Sequence, residues 1–327
     1  MKREWKQVLA AMILGLILPT LMLSVGGAGQ NPNPPDPTRP TGTQPATEPE
    51  VQKTVYIPVQ TEDGKTHIME LEAYTLGVVL AEMPASFAPD ALKAQAVVAR
   101  TYALRRLVLQ DRHGAVAICT DSTCCQAYVS EEAYLQDLGV RADIAKATQA
   151  VRETAGLVLT YEGQLAEATY FSCSGGRTED AAAVWGEDIA YLQAVDSPGE
   201  ESAENYAGSV HFTRQAFCSA LGRELAGTPD SWLGKVSYTE GGGVDMMFIG
   251  GIAYSGIQLR QQLGLNSTAF SMTAENGGIT VTTRGKGHRV GMSQYGADAM
   301  AAAGSTWEQI LAHYYPATVI DKLADIE

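Results

Sequence analysis

Gly77-Val78-Val79-Leu80-Ala81-Glu82-Met83-Pro84, followed by a second largely aliphatic segment over 89–110, decides the fold of this 327-residue chain. The first segment is an apolar run that ends on one carboxylate and a proline, so it reads as a helix over about 72–81 halted by Pro84. Pro89-Asp90 reopens the helix, since proline suits the first turn and an acid there complements the helix dipole. On this second helix Lys93, Val97, Arg100 and Leu104 fall along one stripe, at spacings of four, three and four. An acid in apolar surroundings resists ionising, so Glu82 can donate a proton near neutral pH, as cleavage of a glycosidic bond requires. Read alone, Glu82 is equally a solvated helix end, and Lys93 and Arg100 are surface charges.

Outward from this pair, 55–59 and 67–71 form a hairpin across Asp63-Gly64, and a helix over about 142–155 ends at Gly156. A second hairpin joins 157–161 to 165–171 through Glu162-Gly163 and runs into Ser172-Cys173-Ser174-Gly175-Gly176. Further on, Thr213 and Ser255 cap helices, 235–240 and 244–249 read as strands, and 270–274 pairs with 279–283 across Asn276-Gly277-Gly278. A helix near 294–303 and another capped by Ser305 with Glu308, and stopped by Pro316, close the chain. Hairpins and helices without βαβ alternation indicate an α+β class. The expected arrangement is a two-lobed ectodomain over 51–327 with a central cleft.

The net charge of −14 belongs wholly to residues 51–327, because four basic and four acidic residues balance within 1–50. So acidic a body argues against nucleic acid as a partner, which needs a basic face. Residues 8–25 form an apolar stretch behind Lys2, Arg3 and Lys6. Its length suits a membrane anchor with the N-terminus inside, or a long signal peptide. The expectation is therefore a cytoplasmic stub and anchor over 1–28, a single span in the cell membrane and an extracytoplasmic C-terminal domain. Seven of the 14 prolines lie in 31–50, which makes 29–50 an extended linker.

Three further constellations carry chemistry. His113, Cys119 and Cys125 offer the donor types preferred by Zn²⁺, although five cysteines (119, 124, 125, 173 and 218) also leave a disulfide open. In Ser174-Gly175-Gly176-Arg177 two glycines let backbone N–H groups approach a ligand and Arg177 adds charge. Ser293, Gln294 and Tyr295 can hydrogen-bond sugar hydroxyls or merely cap the helix that begins there. Cys173 shows no neighbouring base that would make it a nucleophile.

Tyr74-x2-Gly77-Val78-Val79-x2-Glu82-Met83-Pro84 and Ala91-Leu92-Lys93-Ala94-Gln95-Ala96-Val97-x-Ala99-Arg100-Thr101-Tyr102 together resemble the stage II sporulation protein D family. Cys125-Gln126-x-Tyr128, Ser174-Gly175-Gly176-x-Thr178 and 291–297 extend the resemblance in the same order, over about 54–317. It implies a membrane-anchored lytic transglycosylase that cuts peptidoglycan glycan strands during engulfment of the forespore. Glu82 falls on the family's catalytic acid, Lys93 and Arg100 on its helix lysine and arginine. Gln95 and the residues of the Ser174 and Ser293 motifs fall in segments expected to bind substrate. His113, Cys119 and Cys125 fall on a zinc site, expected to be structural or ligated in part by Glu82. The resemblance also implies a companion cell-wall amidase/endopeptidase, a membrane scaffold of the engulfment machinery, and glycan strands already stripped of stem peptides. Arg289 stands where the family usually has glycine, and Cys124 adds a thiol beside the metal residues.

Glycosidases that hydrolyse normally use two carboxylates, whereas one candidate stands out here, which fits intramolecular ring closure. The alternative from another class is a non-catalytic, glycan-binding enhancer of a cell-wall amidase.

Overall fold

The computed structural model describes residues 54–325 apart from 114–115, 117, 138–140 and 205, so the expected anchor (1–28) and linker (29–50) lie outside the described residues. In chain order the first half holds β1 (Tyr56–Gln60), β2 (Thr66–Glu70), α1 (Leu71–Glu82), α2 (Pro89–Leu109), β3 (Ile118–Cys119), α3 (Glu131–Asp137), α4 (Arg141–Glu153), β4 (Leu157–Tyr161), β5 (Gln164–Leu165), β6 (Tyr170–Phe171) and α5 (Ala181–Trp185). The second half adds β7 (Ala207–Thr213), α6 (Arg214–Ala220), β8 (Leu233–Tyr238), β9 (Val244–Ile249), β10 (Ile252–Ser255), α7 (Gly256–Leu263), β11 (Phe270–Glu275), β12 (Gly278–Arg284), β13 (Met292–Ser293), α8 (Gln294–Ala302), α9 (Trp307–Tyr314) and β14 (Val319–Lys322). The mixed helices and mainly antiparallel sheets are those of an α+β protein.

The helix α2 is buried on nearly every side, so it is wrapped rather than laid on a surface. Its residues pack with α1, α4, α8 and α9 in one hydrophobic cluster, which includes Leu92, Val97, Leu159, Ile310 and Tyr314. Arg100 is fully buried there. Its Nε and Nη2 donate to the two oxygens of Glu72 at 2.9 and 2.6 Å, and Nη1 donates to the Leu157 carbonyl at 2.9 Å. One guanidinium thus ties α2 to α1 and β4, which satisfies its charge within the core. Lys93 pairs with Glu153 of α4 at 2.6 Å. A second cluster, around Phe217, Trp232, Ile249 and Ile279, fills the space between the β7–β12–β11 and β8–β9–β10 sheets.

Two sequence expectations shift. The strand expected over 165–171 is short, since the chain leaves β4 after Leu165 and Tyr170–Phe171 pairs in parallel with Met292–Ser293. The last helix is capped by Thr306 with Gln309 rather than Ser305 with Glu308. That register also lets the Trp307 N–H reach Asp90 at the start of α2.

Arg289 adopts a left-handed backbone (φ 69°), which explains why glycine is at home there. This chain offsets the strain by burying the guanidinium against Glu179 at 3.1 Å and against the carbonyls of Ser174, Arg177 and Gly241. Arg289→Ala is expected to cost about 3–5 kcal/mol, because Glu179 would keep an uncompensated buried charge. Adding Glu179→Gln should recover part of that loss, as read from denaturant midpoints; an equal loss in single and double variants would show that the pair contributes nothing.

Candidate active site and metal centre

A cavity of about 700 Å³ has Glu82, Gln126, Tyr170 and Gln294 on one side and Trp185, Arg260 and His288 among its other walls. Glu82 is the last residue of α1, placed there because Pro84 ends the helix and Met83 turns extended. One carboxylate oxygen accepts the Ala127 N–H at 2.8 Å, and the other accepts Gln294 Nε2 at 3.3 Å. Burial raises the pKa of Glu82 above the ordinary carboxylate value, against the opposing pull of the hydrogen bonds from Ala127, Gln294 and Tyr170. The negative end of the α1 dipole acts in the same direction as burial.

A hydrogen-bonded chain stands behind the acid. The Tyr74 hydroxyl donates to Gln126 Oε1 at 3.2 Å, and Gln126 Nε2 donates to the Tyr170 hydroxyl at 2.9 Å. Tyr74 stacks on Tyr128 at 5.6 Å, which fixes the loop that carries Gln126. That loop lies directly on α1: a Cβ at Gly77 would sit 2.3 Å from the Tyr128 ring.

Cys124 and Cys125 of the same loop meet Cys119 of β3 and His113 before it, and the ligand atoms of all four lie within 4.8 Å of one another. His113 Nε2 is 3.3 Å from Cys125 Sγ and 3.4 Å from Cys124 Sγ. One nitrogen and three sulfurs at such separations could hold a metal ion in a closed, four-donor shell. Cys124 thus joins the three residues expected from sequence in this cluster, and Glu82 is not in it. All five cysteines are free thiols. Burial pushes the Cys125 thiol up to about 12, so in this arrangement it takes a cation to draw off its proton. Two residues past Cys125 comes the Ala127 N–H on Glu82, so the metal loop is what presents that donor to the acid.

Of the other expected site residues, only Gln294 borders the cavity. Lys93 and Arg100, expected to act with the acid, are engaged with Glu153 and Glu72 and do not line the cavity. Gln95 is fully buried in α2, with no partner among the described residues for either polar atom of its side chain. The backbone nest expected at Ser174-Gly175 exists, but its occupant is the chain's own Glu200. One oxygen of that carboxylate accepts from the Ser174 and Gly175 N–H groups, the Ser174 hydroxyl and the Cys173 thiol. Gly176 lies in the same turn, its N–H donating to the Ser174 hydroxyl, and Arg177 pairs with Asp196 and Glu240. Ser293 caps α8, and Tyr295 packs edge-on against Phe87.

Sequence reasoning did not assign Gln126, Tyr170, Trp185, Arg260 or His288 to the site. Gln126 carried a local signal, beside Cys125 of the candidate metal cluster. His288 sits between Phe171 and Trp185, and its Nδ1 accepts the Val290 N–H at 3.1 Å. Burial, and then the Arg260 charge, lower its ionisation from 6.5 to about 4, so it is neutral with the proton on Nε2. Between about pH 6.5 and 4 the unfolded chain binds the additional proton, so stability is full above that window and falls as pH drops through it. His288→Gln is expected to flatten this acid limb, measured by chemical denaturation at pH 7 and 4.5; an unchanged limb would exclude His288 as its source.

Comparison with known proteins gives the kinship of this site. The family model described as stage II sporulation protein matches residues 60–161. A stage II sporulation protein D of Bacillus subtilis is 40% identical over 274 residues, covering 82% of this chain and 79% of that protein. Another from Bacillus amyloliquefaciens is 36% identical over 318 residues, covering 93% of this chain and 91% of that protein. An amidase enhancer of Bacillus subtilis is 27% identical over 298 residues, covering 75% of this chain and 40% of that protein. The residues that build the acid, its loop and the His/Cys cluster lie within the family-model match, and the chain belongs to the stage II sporulation protein D family.

Proposed function

We propose that the chain is a peptidoglycan lytic transglycosylase of endospore formation, acting in engulfment and held at the cell membrane by residues 1–28. The observation that carries this reading is that Glu82 is the only carboxylate among the described residues lining the cavity. With no second acid to activate water, one group must serve as both acid and base. Protonated Glu82 gives its proton to the oxygen between N-acetylmuramic acid and N-acetylglucosamine as that bond breaks. The carboxylate then takes the proton of the muramoyl C6 hydroxyl while its oxygen closes on C1, leaving a 1,6-anhydro end. Gln294 and the Ala127 N–H orient Glu82, and the exposed indole of Trp185 offers a face for a sugar ring.

Zinc fits the one-histidine, three-thiolate donor set, where it is structural and holds the loop that carries Gln126 and Ala127. The partners are peptide-stripped glycan strands, a cell-wall amidase/endopeptidase and a membrane scaffold. A second reading, favoured by the amidase-enhancer relative, is a glycan-binding module that stimulates an amidase without cutting.

Glu82→Gln is expected to lower the release of 1,6-anhydro ends by about 10²–10⁴-fold while strand binding persists, scored by mass spectrometry of digested glycan. If the wild type releases no such ends yet stimulates an amidase, the enhancer reading replaces this one. Because the ionisation of Glu82 is shifted upward, the cleavage rate should persist above the ordinary carboxylate range and fall as pH climbs through the raised value. Stripping the metal with a chelator should lower the melting temperature by roughly 5–10 °C and weaken cleavage together with it. Unchanged melting after confirmed metal loss would argue that the loop holds itself.

A further inference from the structure

The charge around the cavity is opposite to that of the chain. Against a net −14 for the whole protein, the cavity is lined by Arg112, Arg260 and Lys286, with Glu82 as the opposing acid. These cations are not equivalent. Arg112 donates to the Cys124 carbonyl and so braces the metal loop. Lys286 is exposed, and its backbone pairs with Cys173. Arg260, in the last turn of α7, is half-buried, yet among the described residues its guanidinium has neither an ion pair nor a hydrogen bond.

That contrasts with the other enclosed arginines. Arg100 has Glu72, Arg106 has Glu167 and Asp111, and Arg289 has Glu179. A guanidinium with five donors loses hydration when it is enclosed and recovers it only from an acceptor. In so acidic a chain a counter-ion would be easy to supply, but the carboxylate at the cavity is engaged with Ala127 and Gln294. The acceptor that fits a forked, unpaired guanidinium on a cavity wall is a carboxylate of the ligand.

We infer that Arg260, assisted by Lys286, is a specificity-determining residue that takes the free lactyl carboxylate of a muramoyl unit. The inference rests on the glycan-strand reading above and deepens it. In a strand that bears stem peptides the lactyl carboxyl is tied up in an amide and carries no charge. In a stripped strand it is a carboxylate, repeated once per disaccharide. The Arg260 fork distinguishes these two states of one polymer, with no contact to the glycosidic bond itself.

The test uses the full-length chain carrying Glu82→Gln, so that strands are bound and not cut. Binding is compared for peptide-free strands, for the same strands with the lactyl carboxyl converted to a neutral methylamide, and for peptide-bearing strands. Adding Arg260→Gln is expected to weaken binding of the peptide-free strands by about tenfold and to leave the methylamide strands unchanged. Arg260→Lys should restore part of the loss. Equal weakening on charged and neutral strands would assign Arg260 a structural role, and no weakening on either would remove it from recognition. An effect confined to peptide-bearing strands would place the bound carboxylate on the stem peptide; each of these three results overturns the inference while the glycan reading stands. Failure of the parent protein to bind any strand would instead overturn the glycan reading.

Discussion

The site depends on the contact between the last turns of α1 and the loop that follows β3. Only glycine at position 77 lets the Tyr128 ring and the Val129 backbone lie so close to the helix. The Val129 N–H donates to the Gly77 carbonyl at 3.2 Å, and two residues earlier the Ala127 N–H reaches Glu82. The acid is therefore held by the same seam that closes the metal residues and aligns Gln126 with Tyr170. The fold, the His/Cys cluster and the buried carboxylate share one interface, and a shift of the loop would alter all of them together.

Much of this was legible in the sequence where a local rule had one solution. Pro84 and Pro89-Asp90 bracket the break between α1 and α2, and Ser255 forms its capping box with Gln258 as its position suggests. The last helix was displaced by one residue because Ser305-Thr306 offers two caps, and local rules cannot see that Trp307 meets Asp90. The stripe of Lys93 and Arg100 misled for a related reason. Spacing shows which residues share a face but not what faces them, and α2 has neighbours all round. Arg100 consequently meets Glu72 in the core, not a ligand.

The metal set was partly legible: His113, Cys119 and Cys125 were separable by type and spacing, while the adjacent Cys124 looked like a competitor. Folding turns the 121–125 segment back so that the N–H groups of Cys124 and Cys125 both reach the Asp121 carbonyl, which brings both thiols to His113. Trp185, Arg260 and His288 come from elements far apart in the chain and meet only in the fold, so no window of sequence could place them together.

The buried guanidinium of Arg289 has one more consequence. It gathers acceptors from Ser174, Arg177, Glu179 and Gly241, and so stitches three segments of chain into one block. A block clasped from within moves as a unit or not at all. Any adjustment of the site on binding is therefore left to elements outside this clasp.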